Sequence, residues 1–345
     1  MSKRNYIPIS VVWETTLNCN MKCMHCGSSA GNIRRNELTT KEGLKLCEDL
    51  NKLGTRLISL MGGEPFLRKD WHIFAHHIRD LGMNVTIMSN GLLINEDIIS
   101  ELVKIDPYAV TISLDGGTPQ THNATRGVRA SFNRCIQSLD LLTKANLPTT
   151  VITTVHKQNF KELPIIRDFL INRGIAWQIQ MATPVGRFPK SLMLSQDEFY
   201  SVAIFIASSR KNYSVKELPI IGAHNFGYHS QILPNIMLLP WIGCQAGLTA
   251  MGIQSDGGVQ GCLSLPDKFI EGNIRKRNLI DIWNAPKSFS YNRNFTRDDL
   301  TGECKNCRYG KRCKGGCFTV STSLTGENHG DPYCLHLIEK KMLSE

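Results

Sequence analysis

The sequence predicts an α/β protein, a partial (β/α)6 TIM-like barrel followed by a small Cys-rich domain with little regular structure. Three observations carry this reading. Short β-branched runs alternate with helical patterns through the first two thirds of the chain. Those runs are apolar along nearly their whole length, which belongs to a parallel sheet buried on both faces. From residue 244 onward long apolar stretches stop and cysteine and glycine take over. Such a segment buries little core and leans on metal for its fold.

The strands are ISVVWETT (9–16), RLISLMG (56–62), NVTIMSN (84–90), AVTISLD (109–115), TTVITTV (149–155) and IAWQIQM (175–181). Between them lie TTKEGLKLCEDLNKLG, with a capping-box-like start at Thr40 and Glu42, then DWHIFAHHIRDLG, NEDIISELVKI, SFNRCIQSLDLLTKA and FKELPIIRDFLINRG. Gly54, Gly82 and Gly174 stand where three of these helices stop. A last helical stretch, LSQDEFYSVAIFIASSRK, closes the series. Six βα units are few for a closed eight-unit barrel, so a partial one is expected. The domains are therefore set at 8–205 for the barrel, 206–240 for a bridging segment mixing Gly, Pro, His and Tyr, and 241–345 for the Cys-rich domain.

The chain has 345 residues, 41% hydrophobic and 20% charged, the composition of an ordinary soluble globular protein. No stretch approaches the roughly 18 apolar residues of a membrane helix. The N-terminal apolar run is short, β-branched and ended by Glu14, a first strand and not a signal peptide. A cytoplasmic location without a membrane partner is expected. The formal charge of +10 is scattered over the sequence and forms no long basic run, so no nucleic-acid partner is expected either.

Twelve cysteines in such a chain are hard to explain as disulfides, because the cytosol keeps thiols reduced. Cys19, Cys23 and Cys26 crowd one loop after the first strand, at the sheet edge where α/β proteins place their chemistry. Cys244, Cys262, Cys304, Cys307, Cys313, Cys317 and Cys334 form a second group. Only Cys47 and Cys135 stand apart, each on an amphipathic helix, where a free cysteine behaves as a small buried hydrophobe. For the loop CNMKCMHC the other readings are a three-Cys zinc site completed by His25 and unliganded core thiols. Sulfur-rich structural zinc draws its ligands from two separated pairs, which this loop lacks.

Cys19-x3-Cys23-x2-Cys26 resembles the signature of the radical S-adenosylmethionine (SAM) enzymes, and the likeness continues in order. Gly62-Gly63-Glu64-Pro65 after the second strand resembles the family's segment for the methionine amino group. Ser89-Asn90 ends the third strand, and Ser113-Leu114-Asp115-Gly116 ends the fourth, where the family contacts the ribose. His122 to Gly127 resembles the following segment, with Arg126 toward the methionine carboxylate. The resemblance implies a 4Fe–4S cluster on three thiolates whose fourth iron is left to SAM. One electron then cleaves SAM to methionine and a 5′-deoxyadenosyl radical. The polar residues suit that ligand: Glu64 for the ammonium, Arg126 for the carboxylate, and Gly62-Gly63 for close approach of backbone to it. His25 departs from the aromatic residue that many members place beside the adenine, and a histidine can stack there too.

Taken alone, the spacing of Cys304 to Cys317 is also compatible with a zinc ribbon. Coupled to the first motif, the pattern resembles the seven-cysteine SPASM extension of radical SAM enzymes, which implies two auxiliary 4Fe–4S clusters and three clusters in all. By that correspondence Cys304, Cys307, Cys313 and Cys334 close one, while Cys244, Cys262 and Cys317 hold the other. The second set is one cysteine short, and residues 212–243 contain none. Either another residue completes it or an iron stays open.

The bridging segment carries His224, Tyr228 and His229, read as loop-capping residues, and Asp256 before Gly257-Gly258 reads as a turn residue. Asp256 and Asp267 flank Cys262 as candidate acid/base groups. The resemblance implies hydrogen abstraction from an unactivated C–H bond. The first expectation for the substrate is a ribosomally made peptide that is cross-linked, bridged by a thioether or epimerised. The first motif begins at residue 19 without a preceding peptide-recognition domain, so a separate leader-peptide recognition protein, or direct capture of the leader, is expected. A one-electron donor such as flavodoxin or ferredoxin is implied. The alternatives are a radical oxidoreductase on a small molecule of cofactor or antibiotic synthesis, a sulfatase-maturation enzyme, and a non-catalytic zinc or iron–sulfur module. Leu263 and the missing eighth cysteine speak against sulfatase maturation.

Overall fold

Each β-branched run becomes a strand in the computed structural model, which describes residues 6–343. They are β1 (Ser10–Thr16), β2 (Leu57–Gly62), β3 (Asn84–Ser89), β4 (Ala109–Ser113), β5 (Thr149–Val155) and β6 (Ala176–Met181). Helices α1 (Thr40–Lys52), α2 (Trp71–Asp80), α3 (Glu96–Ile105), α4 (Pro119–Arg126), α5 (Ser131–Lys144), α6 (Leu163–Leu170) and α7 (Gln196–Asn212) connect and follow them. All neighbours from β1 to β6 pair in parallel, with Val11 opposite Ile58 and Thr86 opposite Ala109. The C-terminal strand ends Thr16, Gly62, Ser89 and Ser113 therefore lie along one edge of the sheet.

The layers follow from burial. Helix α1 turns Leu46, Cys47 and Leu50 onto the sheet, and all three are essentially inaccessible. Trp13 of β1 packs on Phe74 of α2 at 4.8 Å between ring centres. A Cβ at Gly43 would come within 2.5 Å of the Phe74 ring, so α1 reaches that close only with glycine there. Inside the sheet, hydroxyls pair with each other, Thr86 to Ser59 at 2.7 Å, which removes the penalty of burying them. Gly54, Gly82 and Gly174 all take positive φ at the ends of their helices.

Two features differ from the sequence reading. The bridging segment supplies a seventh parallel strand, β7 (Ile220–Gly222), opposite Trp177–Ile179 of β6. Two isoleucines between Pro219 and Gly222 leave too short a pattern to read. The Cys-rich region also has more regular structure than its composition implies. Its β8 (Ala250–Ile253) pairs in parallel with β1, Ser10 opposite Ala250. Antiparallel β9 (Gly258–Gln260) and β10 (Gly272–Asn273) continue the same sheet. One ten-stranded sheet results, ordered β10-β9-β8-β1-β2-β3-β4-β5-β6-β7. Short helices α8 (Leu279–Asn284), α9 (Ser290–Arg293), α10 (Gly310–Cys313), α11 (Phe318–Thr325) and α12 (Leu335–Met342) surround the cysteines. Among the described residues no helix is long and apolar enough to cross a membrane.

The α1 cap is shifted by one residue from expectation. Thr39, not Thr40, is the N-cap, because a capping box spans three residues and Glu42 is N3. Glu42 also takes both ends of Arg275 from the Cys-rich region, at 2.6 and 2.7 Å, so the cap fixes α1 and its covering segment together. Thr39→Ala should lower stability by about 1 kcal/mol, read as a lower denaturation midpoint, whereas Thr39→Ser should stay near the parent.

Candidate active site

The loop carrying Cys19, Cys23 and Cys26 is held from three sides. Gly63 N–H donates to Thr16 O and Glu64 N–H to Asn18 O, both at 2.8 Å. A Cβ on Gly62 would lie 2.0 Å from Thr16 O, and one on Gly63 would lie 2.1 Å from Asn18 O. The glycine pair was expected to let backbone approach a ligand. It also admits the chain's own backbone, and so fixes the start of the cysteine loop against β2. From below, Met24 N–H donates to Thr125 O in α4 at 3.0 Å. From the far side Arg187, beyond β6, donates from Nε to Cys23 O at 3.0 Å and from Nη1 to Ala30 O at 2.6 Å. Burial pushes the Cys19 thiol up to about 11 and raises Cys23 as well. Neither thiol is comfortable ionised there without a metal.

Beside this loop, Glu64 is wholly buried. It accepts from Ser89 Oγ at 2.9 Å, from Asn90 N–H at 2.8 Å and from Phe66 N–H at 3.2 Å. None of these partners is a cation, and burial pushes the carboxyl up from 4.5 to about 7. The Asn90 side chain donates to Asn20 Oδ1 at 2.7 Å and so reaches back to the cysteine loop. Ser113 accepts the Cys135 thiol on its carbonyl at 3.6 Å. Cys47 and Cys135 are both fully buried core residues, as their helices imply.

Asp115 has the opposite environment. Burial works against its charge, but His25 Nε2 at 3.3 Å and Arg126 Nη1 at 3.0 Å hold the carboxyl well below its usual range. His25 thus pairs with Asp115. Arg126, expected to face a ligand carboxylate, spends one nitrogen on Asp115 and keeps its buried Nε without a partner. His25 Nδ1 is likewise buried and unpaired. His122 accepts from Asp115 N–H at 3.2 Å, and burial lowers both His122 and His156 to about 4. A buried carboxyl without a cation and a buried guanidinium N–H without an acceptor, beside three thiols, fit a ligand that offers an ammonium and a carboxylate next to a thiolate-bound metal.

In the Cys-rich region the thiols sort by electrostatic neighbourhood. Cys304, Cys313 and Cys334 act on one another with Cys307, while Cys317 feels Cys244 and Cys262. Burial raises every one of these shifted thiols. Among the described residues no three Cys, His, Asp or Glu side chains converge on one ion-sized point. All-thiol donor sets suit iron–sulfur clusters. Tyr228 of the bridging segment donates to Asp331 Oδ2 at 2.6 Å and accepts from Cys317 N–H. Its role is structural, tying that segment to the cysteines. Asp256 accepts from Gly258 N–H at 3.2 Å as a turn residue, and His229 is exposed and stacks on Tyr309 at 3.7 Å.

Residues 13–170 match the radical SAM superfamily, and residues 244–308 match the SPASM iron–sulfur cluster-binding domain. The chain carries a radical SAM domain followed by a SPASM domain. It is a radical SAM/SPASM enzyme, and its family implies SAM, a 4Fe–4S cluster and auxiliary iron–sulfur clusters. It is 28% identical to the AdoMet-dependent heme synthase of Methanosarcina barkeri over 97% of this chain and 98% of that one. Against the mycofactocin maturase MftC of Mycolicibacterium smegmatis the identity is 27%, over 95% of this chain and 83% of the maturase. Streptococcus suis SuiB bound to its precursor peptide SuiA shares the fold, with a TM-score of 0.79 and 19% identity over 95% of this chain and 76% of SuiB.

A cavity of about 530 Å³ lies between the two halves of this radical SAM/SPASM enzyme. Leu17, Gly27 and Ser28 of the cysteine loop form one wall, and Leu263 to Asp267 with Thr319 of α11 form the other. Glu14 and Arg34 pair at 2.9 Å on its rim. Sequence reasoning missed Arg187, Arg34 and Glu14, since a lone arginine in a loop and a glutamate within a strand carry no motif.

The raised Glu64 carboxyl sets a pH dependence. Between about 4.5 and 7 the unfolded chain has released this proton and the folded one retains it, so stability falls as pH rises through that window. Glu64→Gln should abolish the fall and leave the SAM-free protein more stable at pH 8, on the order of 3 kcal/mol. Denaturation midpoints of both proteins across pH 4.5 to 8 read this out. An unchanged pH slope would mean that Glu64 is already neutralised.

Proposed function

We propose that this enzyme cleaves SAM reductively at Cys19, Cys23 and Cys26 and uses the resulting radical to take a hydrogen from a ribosomally made peptide, modifying it by cross-link, thioether or epimerisation. The cavity carries the reading, because its walls are the catalytic cysteine loop and the loop after Cys262. A substrate seated there has a radical source on one side and an electron acceptor on the other. When bound, the cluster at the cysteine loop supplies the electron that cleaves SAM.

The chain's own residues bind and orient. Glu64 would receive the methionine ammonium, the cation it lacks. Arg126 turns its free Nε to the methionine carboxylate while Asp115 fixes its other end. Ser89 and Asn90 hold Glu64 in place, Gly62 and Gly63 lead into it at the methionine amino end, and Ser113 and Asp115 line the nucleoside side. His25, anchored on Asp115, gives the adenine a flat neighbour. Arg187 keeps the loop from opening toward the cavity. Cys304, Cys307, Cys313 and Cys334 hold one auxiliary 4Fe–4S cluster and Cys244, Cys262 and Cys317 the other, three clusters in total. Electrons arrive from a flavodoxin or ferredoxin, and the peptide's leader is captured directly or through a separate recognition protein. The domains run 8–205, 206–240 and 241–345, in a cytoplasmic enzyme.

A second reading, a small molecule of cofactor synthesis as substrate, is favoured by the full-length alignment with the heme synthase. Anaerobic co-expression with short peptides encoded beside the gene separates the two. Loss of two hydrogens at one residue, or deuterium uptake from heavy water at one α-carbon, is expected for the peptide. Unchanged peptides beside intact SAM cleavage would transfer the assignment to the small molecule. Replacing Cys19, Cys23 and Cys26 together with Ala should abolish 5′-deoxyadenosine formation and leave auxiliary iron in place. Formation at the parental rate would remove these three as the catalytic set.

A further inference from the structure

Tyr291 has a buried hydroxyl with no hydrogen-bond partner. Leaving such a group unsatisfied is costly, so a native structure that keeps one calls for an explanation. Its ring is fixed. It packs on Phe318 at 4.6 Å and meets Phe269 edge-on at 5.3 Å. The backbone around it is fixed as well: His329 Nε2 lies 2.8 Å from Tyr291 O, and Asn292 Nδ2 donates to Cys244 O at 2.7 Å and to Ala246 O at 2.8 Å. The hydroxyl therefore has one direction. It lies over Gly261, where a Cβ would come within 2.2 Å of Tyr291 Oη.

Those neighbours single out one cysteine set. Gly261 precedes Cys262, Phe318 follows Cys317, and Asn292 grips the carbonyl of Cys244. Burial raises the phenol first, and Cys244, Glu271 and Cys262 add to it. The phenol thus lies close enough to Cys244 and Cys262 to feel both thiols, and its ring packs on the residue that follows Cys317, the third member of the set that is one cysteine short.

We propose that Tyr291 donates its hydroxyl proton in a hydrogen bond to a sulfur of the cluster held by Cys244, Cys262 and Cys317, and so raises that cluster's reduction potential. The proposal rests on the reading above that these thiolates hold a cluster. A phenol keeps its proton at neutral pH and is a donor there, and a donor aimed at sulfur stabilises the extra negative charge of the reduced state. Coordination as a phenolate would instead add an anion to three thiolates. Tyr291 is then a positioning residue for the electron, easing its passage from substrate to cluster.

Tyr291→Phe keeps the ring and its packing and removes only the donor. In the anaerobically purified full-length enzyme, iron per chain and melting temperature should match the parent. In a redox titration followed by electron paramagnetic resonance, one cluster should become harder to reduce. Its reduced-to-oxidised ratio at fixed poise should drop about tenfold, about 59 mV for one electron, with the other clusters unmoved. Unchanged potentials throughout would overturn the proposal. Loss of iron would overturn it too, because the hydroxyl would then be a ligand. Cys262→Ala tests the underlying reading separately: full iron retention in that variant would mean that no cluster is held there, whatever Tyr291→Phe does.

Discussion

The close approach of two backbones, Gly62-Gly63 against Thr16 and Asn18, is the constraint on which the site depends. Side chains at these positions would occupy the space of carbonyl oxygens 2.0 and 2.1 Å away. With glycine there, β2 ends hydrogen-bonded to the chain leaving β1, and the cysteine loop starts from a fixed point. Glu64 follows immediately and is carried into the interior by the same turn. One contact thus sets both the thiols and the carboxylate beside them, which is why the Gly-Gly-Glu segment and the cysteines are legible together.

Two buried carboxylates a short way apart are then given opposite characters. Asp115 stays ionised because Arg126 and His25 face it. Glu64 has only neutral donors and holds its proton to about 7. The difference is a matter of partners, since both are buried. A site with one ion-paired carboxylate, one carboxyl without a charged hydrogen-bond partner and a half-used guanidinium has the polarity that fits a zwitterion.

The six barrel strands, the helices between them apart from α4, and the cysteines were legible because each has a local signal: β-branched runs, a 3.6-residue period, short Cys spacings. The eight residues of α4 were read only as a motif segment. Thr39 was misplaced by one residue because adjacent threonines offer the same cap chemistry and only the spacing to Glu42 decides. The strand β7 was invisible, being three residues long, and β8 was hidden in AMGI, where Gly252 makes room for Leu263. Arg187 and Tyr291 act across long sequence separations, where no local pattern exists. The approach of Thr16 and Asn18 to the Gly62-Gly63 pair was not legible, since sequence shows that backbone comes close but not whose.

The parallel pairing of β8 with β1 has a consequence for chemistry. β1 runs into the catalytic cysteine loop, and β8 runs through a tight turn and β9 into Cys262. Four register pairs, Ser10–Ala250 to Trp13–Ile253, therefore fix one loop against the other. The buried end of β1 strengthens the seam, with Glu14 accepting from Ser255 Oγ at 2.9 Å and Leu38 N–H donating to Ser255 O at 2.7 Å. A module joined only by a flexible linker would leave the gap between radical source and auxiliary thiols to diffusion. Here a continuous sheet sets that gap, and the cavity between the loops inherits the rigidity of the barrel. Positioning a substrate within reach of both is then a property of strand register, and a one-residue slip of β8 would turn every side chain beyond it to the other face.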